Sequence, residues 1–196
     1  MTLSGLTSSL TFKSSYRNLV EELRLGSSSE ILLDAPKGAK SFLIAAFRND
    51  LRRPLLWLHA NSDSARRGYS ELESFIGDYG DKNRLYYYPE PDALPFENID
   101  HSESIVQERL KVMAGMLMVN GSSQDSGGQY DTIPEVPPIV VASVDSIARL
   151  TIEPKTFLQQ TLTVRTGKDI SLNRFSDQLL KIGYKNVSVV DQPGTF

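Results

Sequence analysis

Hydrophobic positions along the chain change period repeatedly, from the 3.6 of a helix to the runs and alternation of strands. Tyr16, Leu19, Val20 and Leu23 share one helical face, and Gly26 with three serines stops the run, which predicts an amphipathic helix from residue 14 or 15 to 25. Ile31, Leu32 and Leu33 read as a short buried strand, and residues 41–51 as a helix ended by Arg52, Arg53 and Pro54. Residues 54–60 (PLLWLHA) form a near-continuous apolar run, the pattern of a strand covered on both faces. A helix over residues 64–79, with Tyr69, Leu72, Phe75 and Ile76 inward, precedes an aromatic strand at 84–88. Strands and helices therefore alternate, which predicts an α/β fold: a parallel sheet with helices on both faces.

The stretch RLYYYPEPDALPFENIDHSESIVQERL, residues 84–110, organises this pattern. Its three prolines (Pro89, Pro91, Pro95) forbid regular structure after the strand. Ser104 followed by Gln107 reads as a capping box that opens a helix over 104–119, with Ile105, Val106, Leu110, Met113 and Leu117 on its apolar face. An acidic loop carrying Asp92, Glu97 and Asp100 between strand and helix marks a functional edge of the sheet, or a stiff crossover with solvated acids. Residues 120–138 are rich in Gly, Ser and Pro and read as a mobile surface loop, an insertion only by comparison with the family resembled below. A strand over 139–144 and a short helix over 145–150 follow. Residues 162–164, 172–182 and 186–191 then read as strand, helix and strand, the start of a small second α/β domain. The boundary falls near residues 152–155, giving a first domain at 1–152 and a partial second at 153–196.

Composition narrows the function classes. The 196 residues are 40% hydrophobic and 23% charged, as in ordinary globular proteins, and hold no cysteine, which removes disulfides and thiolate chemistry. No apolar run reaches the roughly 20 residues of a membrane span and the N-terminus lacks a secretory pattern, so a cytoplasmic location without membrane partners is expected. Residues 1–150 hold 15 Lys and Arg against 20 Asp and Glu, whereas residues 151–196 hold 6 against 4. An acidic first domain argues against duplex binding by phosphate neutralisation. His59 and His101 lack ligand-spaced partners, so no metal site is expected. His59 is expected to be a hydrogen-bonded residue at the core edge, and His101 to be exposed. Tyr86, Tyr87 and Tyr88 offer a base-stacking platform or a structural run, and strand alternation favours the structural role.

The strongest chemical motif is Asp34-Ala35-Pro36-Lys37-Gly38-Ala39-Lys40-Ser41, placed between a strand and a helix as a P-loop is. Lys40 and Ser41 match its end. Asp34 and Ala39 stand where glycines should let the backbone curl around phosphate oxygens. Asp34 adds a negative charge and Ala39 a Cβ, so a degenerate nucleotide site without catalytic residues is expected.

Asp92-Ala93-Leu94-Pro95-Phe96-Glu97, with Ser102 and then Gln107-Glu108-Arg109-Leu110, resembles the N-terminal region of bacterial transcription-repair coupling factor (Mfd), itself similar to the damage-recognition protein UvrB. The resemblance implies a UvrB-like lobe that has lost its nucleotide site, with Asp92, Leu94, Pro95, Glu97, Glu108 and Arg109 as family positions. It implies a second domain that docks UvrA, in which basic residues carry part of the contact. Gly183-Tyr184-Lys185 matches a family turn, so Lys185 is the first candidate for that contact, with Arg174 and Arg165 beside it in a basic set that also holds Lys168 and Lys181. The aromatic hairpin that UvrB wedges into damaged DNA would emerge near Tyr86 to Pro95, where this chain has a short proline-rich loop. Gly194-Thr195-Phe196 resembles the turn of a hairpin whose return strand lies beyond the last residue, so a fragment of a longer protein is expected. ATP and Mg are expected only at that protein's motor domains, along with RNA polymerase and DNA as partners. The alternatives are an active P-loop ATPase or helicase lobe and a nucleic-acid-binding module.

Overall fold

The computed structural model describes residues 3–26, 30–76, 84–92, 102–117, 137–162, 164, 166–167, 169–190 and 194–196. These residues cluster into two compact units, Met1–Arg149 and Leu150–Phe196.

The first unit is built on three parallel strands, β1 (Leu55–His59), β2 (Leu85–Tyr88) and β3 (Ile139–Ser143), in the order β1-β3-β2. Trp57 and Tyr87 both pair with Val141, which fixes the register across the sheet. β3 is buried at all five positions because it lies between the other two and is covered on both faces. Alternation then divides the side chains. Leu85, Ile139 and Val141, with Leu55, Trp57 and Tyr87, meet α2 (Lys40–Leu51) and α3 (Ser62–Phe75) through Ala45, Ala65 and Leu72. On the other face Tyr86, Tyr88, Val140 and Ala142 meet Val112 and Met116 of α4 (Glu103–Leu117). Helices therefore cover both faces, as the alternation predicts. α1 (Ser14–Leu25) forms a further layer on α2, where Tyr16 stacks on Phe47 at 5.8 Å and donates to Asp50 Oδ2 at 2.6 Å. α5 (Val144–Ile147) leaves β3 directly.

Two close approaches depend on glycine. A Cβ on Gly115 would enter the Tyr86 ring, and one on Gly68 would lie 2.6 Å from the His59 ring. Each glycine lets a helix settle onto an aromatic strand residue. All three tyrosines of β2 thus serve packing: Tyr87 meets Tyr69 edge-on at 6.0 Å, and the other two lie under α4.

Several expectations need correction. Ile31, Leu32 and Leu33 form no strand, and Leu32 is 97% exposed. Three apolar residues signal burial, but a strand also needs a neighbour for its backbone, and none pairs here among the described residues. α4 starts at Glu103, ahead of the expected cap at Ser104, because the Val106 amide already donates to Ser102 O at 3.1 Å; the Ser102 amide is itself held by Asp92 Oδ2 at 2.8 Å. Its inward stripe is also rotated: Val112 and Gly115 are buried, while Val106 and Leu110 are 39% and 40% exposed. Leu94, Pro95, Glu97, Asp100, His101, Arg165, Lys168 and most of the 120–138 insertion lie outside the described residues.

The second unit holds α6 (Pro154–Gln159) and α7 (Leu172–Lys181). The strands expected at 162–164 and 186–191 do not form among the described residues, and Val189 is 73% exposed. Lys185 and Thr195 form an isolated bridge of parallel sense, with Lys185 N–H donating to Gly194 O and Phe196 N–H to Lys185 O.

Candidate functional site

The P-loop-like segment ends in a tight turn rather than a phosphate cradle. Residues 37–39 form a 3-10 turn, and the Ala39 amide donates to Pro36 O at 2.9 Å. Gly38 does not take a positive φ, so the alternating backbone of an anion nest does not arise. α2 begins at Lys40 with no side-chain cap. Ser41, fully buried, donates its hydroxyl to Glu71 Oε2 of α3 at 2.6 Å. Lys40 and Asp34 are exposed.

His59 ends β1, and its ring faces Gly68 of α3. Its ring is tilted against Trp57 at 4.4 Å, and its buried Nε2 has no hydrogen-bond partner among the described residues, contrary to expectation. Burial pulls the His59 pKa below its ordinary value; Glu71 opposes this and Lys40 adds to it. No cluster of metal-ligating side chains occurs among the described residues.

Arg109 explains the rotated face of α4. Its guanidinium carbon sits 4.0 Å from the Tyr88 ring centroid, and Nη1 donates to Pro89 O at 2.7 Å and Ser146 O at 3.1 Å. Burial pulls its pKa down, Tyr88 opposes this, and Arg149 adds to it. An arginine can point inward here because the stem packs while the fork satisfies carbonyls at the ends of β2 and α5. Glu108, one residue earlier, is exposed. Nearby, Glu90 Oε1 accepts from Ser143 Oγ at 2.5 Å, and Ser143 also caps α5.

The sequence has relatives among known proteins. The chain is 28% identical over 187 residues to the UvrABC system protein B of Mycoplasma mobile, with 92% of the chain and 26% of that protein aligned. It is 22% identical over 181 residues to the transcription-repair-coupling factor of Bacillus subtilis, covering 92% of the chain and 14% of that protein. The same factor from Myxococcus xanthus is 25% identical over 184 residues. The chain is similar to both UvrB and transcription-repair coupling factor. It spans about a quarter of the UvrB relative and a seventh of the coupling factors. No family model matches. Among the described residues no helix is long and apolar enough to cross a membrane.

The turn at Gly183-Tyr184-Lys185 has a clear structural basis. Gly183 takes φ +98°, Gly183 N–H donates to Leu180 O at 3.1 Å, and Tyr184 N–H reaches back to Leu179 O at 3.0 Å. These are the two bonds of a Schellman cap on α7. The cap delivers Lys185 to its bridge with Thr195 and leaves its side chain, like those of Arg174 and Lys181, exposed. Glu71, Glu90 and Ser143 were not legible as site residues in the sequence. Each is an ordinary polar residue locally and gains its role from a partner at least 30 positions away.

Proposed function

We propose that this chain is a UvrB-like module acting in transcription-coupled nucleotide excision repair, as a non-catalytic unit that recruits UvrA where RNA polymerase stalls. Similarity to UvrB and to coupling factors over nine tenths of the chain supports the repair role. The single observation that carries the non-catalytic reading is the engagement of Ser41 with Glu71, beside an Ala39 amide already donated to Pro36. In a P-loop, a hydroxyl at this position would hold Mg and amides like this one would hold phosphate. The parent protein would carry ATP-driven translocation in other domains and contact DNA and RNA polymerase there. UvrA docking is assigned to the second unit, through exposed Lys185 and Arg174.

The experiment is a titration of purified UvrA against the chain and its Lys185→Glu and Arg174→Glu variants at two salt concentrations. Saturable binding, weakened at least about tenfold by Lys185→Glu and reduced by salt, is the expected result. Equal binding by all three proteins would remove the assignment. The second reading, an active ATPase lobe, draws on the closeness of Ser41 to a carboxylate, a pair that Mg can bridge in P-loop enzymes. It requires Mg-dependent ATP binding that Lys40→Ala abolishes.

A further inference from the structure

We propose that Glu71 is a built-in occupant of the start of α2, a carboxylate of the chain's own that closes this lobe to polyphosphate. The inference rests on the non-catalytic reading above and supplies its physical cause. Lost glycines alone leave a helix start that still favours anions. Here that start has no side-chain cap, yet its buried Ser41 hydroxyl is directed to Glu71 Oε2 at 2.6 Å. The acid is not a local cap. It arrives from α3, 30 residues on, where α2 and α3 pack together over the sheet.

The surroundings suit an anion. His59 lies within the electrostatic reach of both Glu71 and Lys40, and its Nε2 is buried without a partner among the described residues. Arg66 and Arg67 line, with Asp63, Ser70 and Glu71, an open depression of about 560 Å³. Glu71 shares that depression with Arg66 and Arg67, and Lys40 opens α2, so a negative group there answers positive charge from two helices. The same chemistry recurs nearby. Glu90 holds the Ser143 hydroxyl at the end of β3, and Asp92 holds the Ser102 amide ahead of α4. In parallel sheets this carboxyl edge is where ligands dock. In this chain its own acids engage that edge at three points.

The test uses the whole chain with Glu71→Ala, which empties the seat, and Glu71→Gln, which keeps the volume and a carbonyl but removes the charge. Binding of inorganic triphosphate with Mg is measured by calorimetry and by the shift in Tm. The parent should give no shift, and Glu71→Ala a rise of about 3 °C or more near tenfold saturation. Glu71→Gln should gain at least about tenfold in affinity over the parent, from the removal of one like charge. Adding Lys40→Ala should abolish the gain in either variant. Should Glu71→Ala fail to fold, the Gln variant decides. A folded variant that binds no better than the parent, or a gain that survives Lys40→Ala, overturns the inference and leaves the non-catalytic reading standing. Lys40-dependent triphosphate binding by the parent overturns both.

Discussion

Arg109 lies over the ring of Tyr88, its guanidinium carbon 4.0 Å from the centroid, and so ties the middle of α4 to the last residue of β2. The same group donates to the carbonyls of Pro89 and Ser146, so one side chain joins the segment leaving β2 to the end of α5. Arg109→Ala should destabilise the first unit by about 2–4 kcal/mol, since two carbonyls lose a charged donor and the ring loses its cation. Arg109→Lys keeps the charge but not the fork and should cost about 1–2 kcal/mol. Urea denaturation of the three proteins measures both, and equal midpoints would refute the role.

Gly115 and Tyr86 make a second such pair. Alanine is the better helix former by about 0.5–1 kcal/mol, yet its Cβ would enter the Tyr86 ring. Gly115→Ala should therefore destabilise by about 1–3 kcal/mol. In a Tyr86→Leu background the penalty should shrink, because the smaller side chain vacates the space. A double-mutant cycle showing strict additivity would contradict the contact.

His59 makes stability depend on pH with a definite sign. Its pKa is lowered in the folded chain, chiefly by burial, so the unfolded chain binds the extra proton. Stability conferred by keeping it neutral is present above the unfolded value of about 6.5 and is lost as pH falls through that value. The denaturation midpoint should drop between about pH 7 and pH 5, before carboxylates titrate, and drop less in His59→Gln. His101 is common to both proteins, so the difference isolates His59. A steeper fall in the variant would reverse the assignment.

Gly183 links stability of the second unit to the proposed docking. Its φ of +98° is readily taken only by glycine, so Gly183→Ala should cost about 1 kcal/mol or more and loosen the bridge that holds Lys185. Amide exchange at Lys185 and Phe196 should speed up in this variant. Unchanged protection there would show that the cap does not hold the bridge.

The periodicity of the chain was enough to place α1, α3 and the three strands, and to put helices on both faces of a parallel sheet. Tyr16 with Val20 and Leu72 with Ile76 are buried as their spacing requires. This works because a period records which side of an element avoids water, whatever it packs against. The failures fall where the partner decides. Ile31, Leu32 and Leu33 are apolar enough for a strand and have no neighbour to pair with among the described residues. Arg109 could be singled out as a family position, but not its convergence with the carbonyls of Pro89 and Ser146. The missing glycines of the P-loop-like segment could be read directly, but the seating of Glu71 on Ser41 could not. Hydrogen bonds between residues 30 or more positions apart depend on how α2, α3 and the strand ends come together, and local sequence carries no record of that meeting.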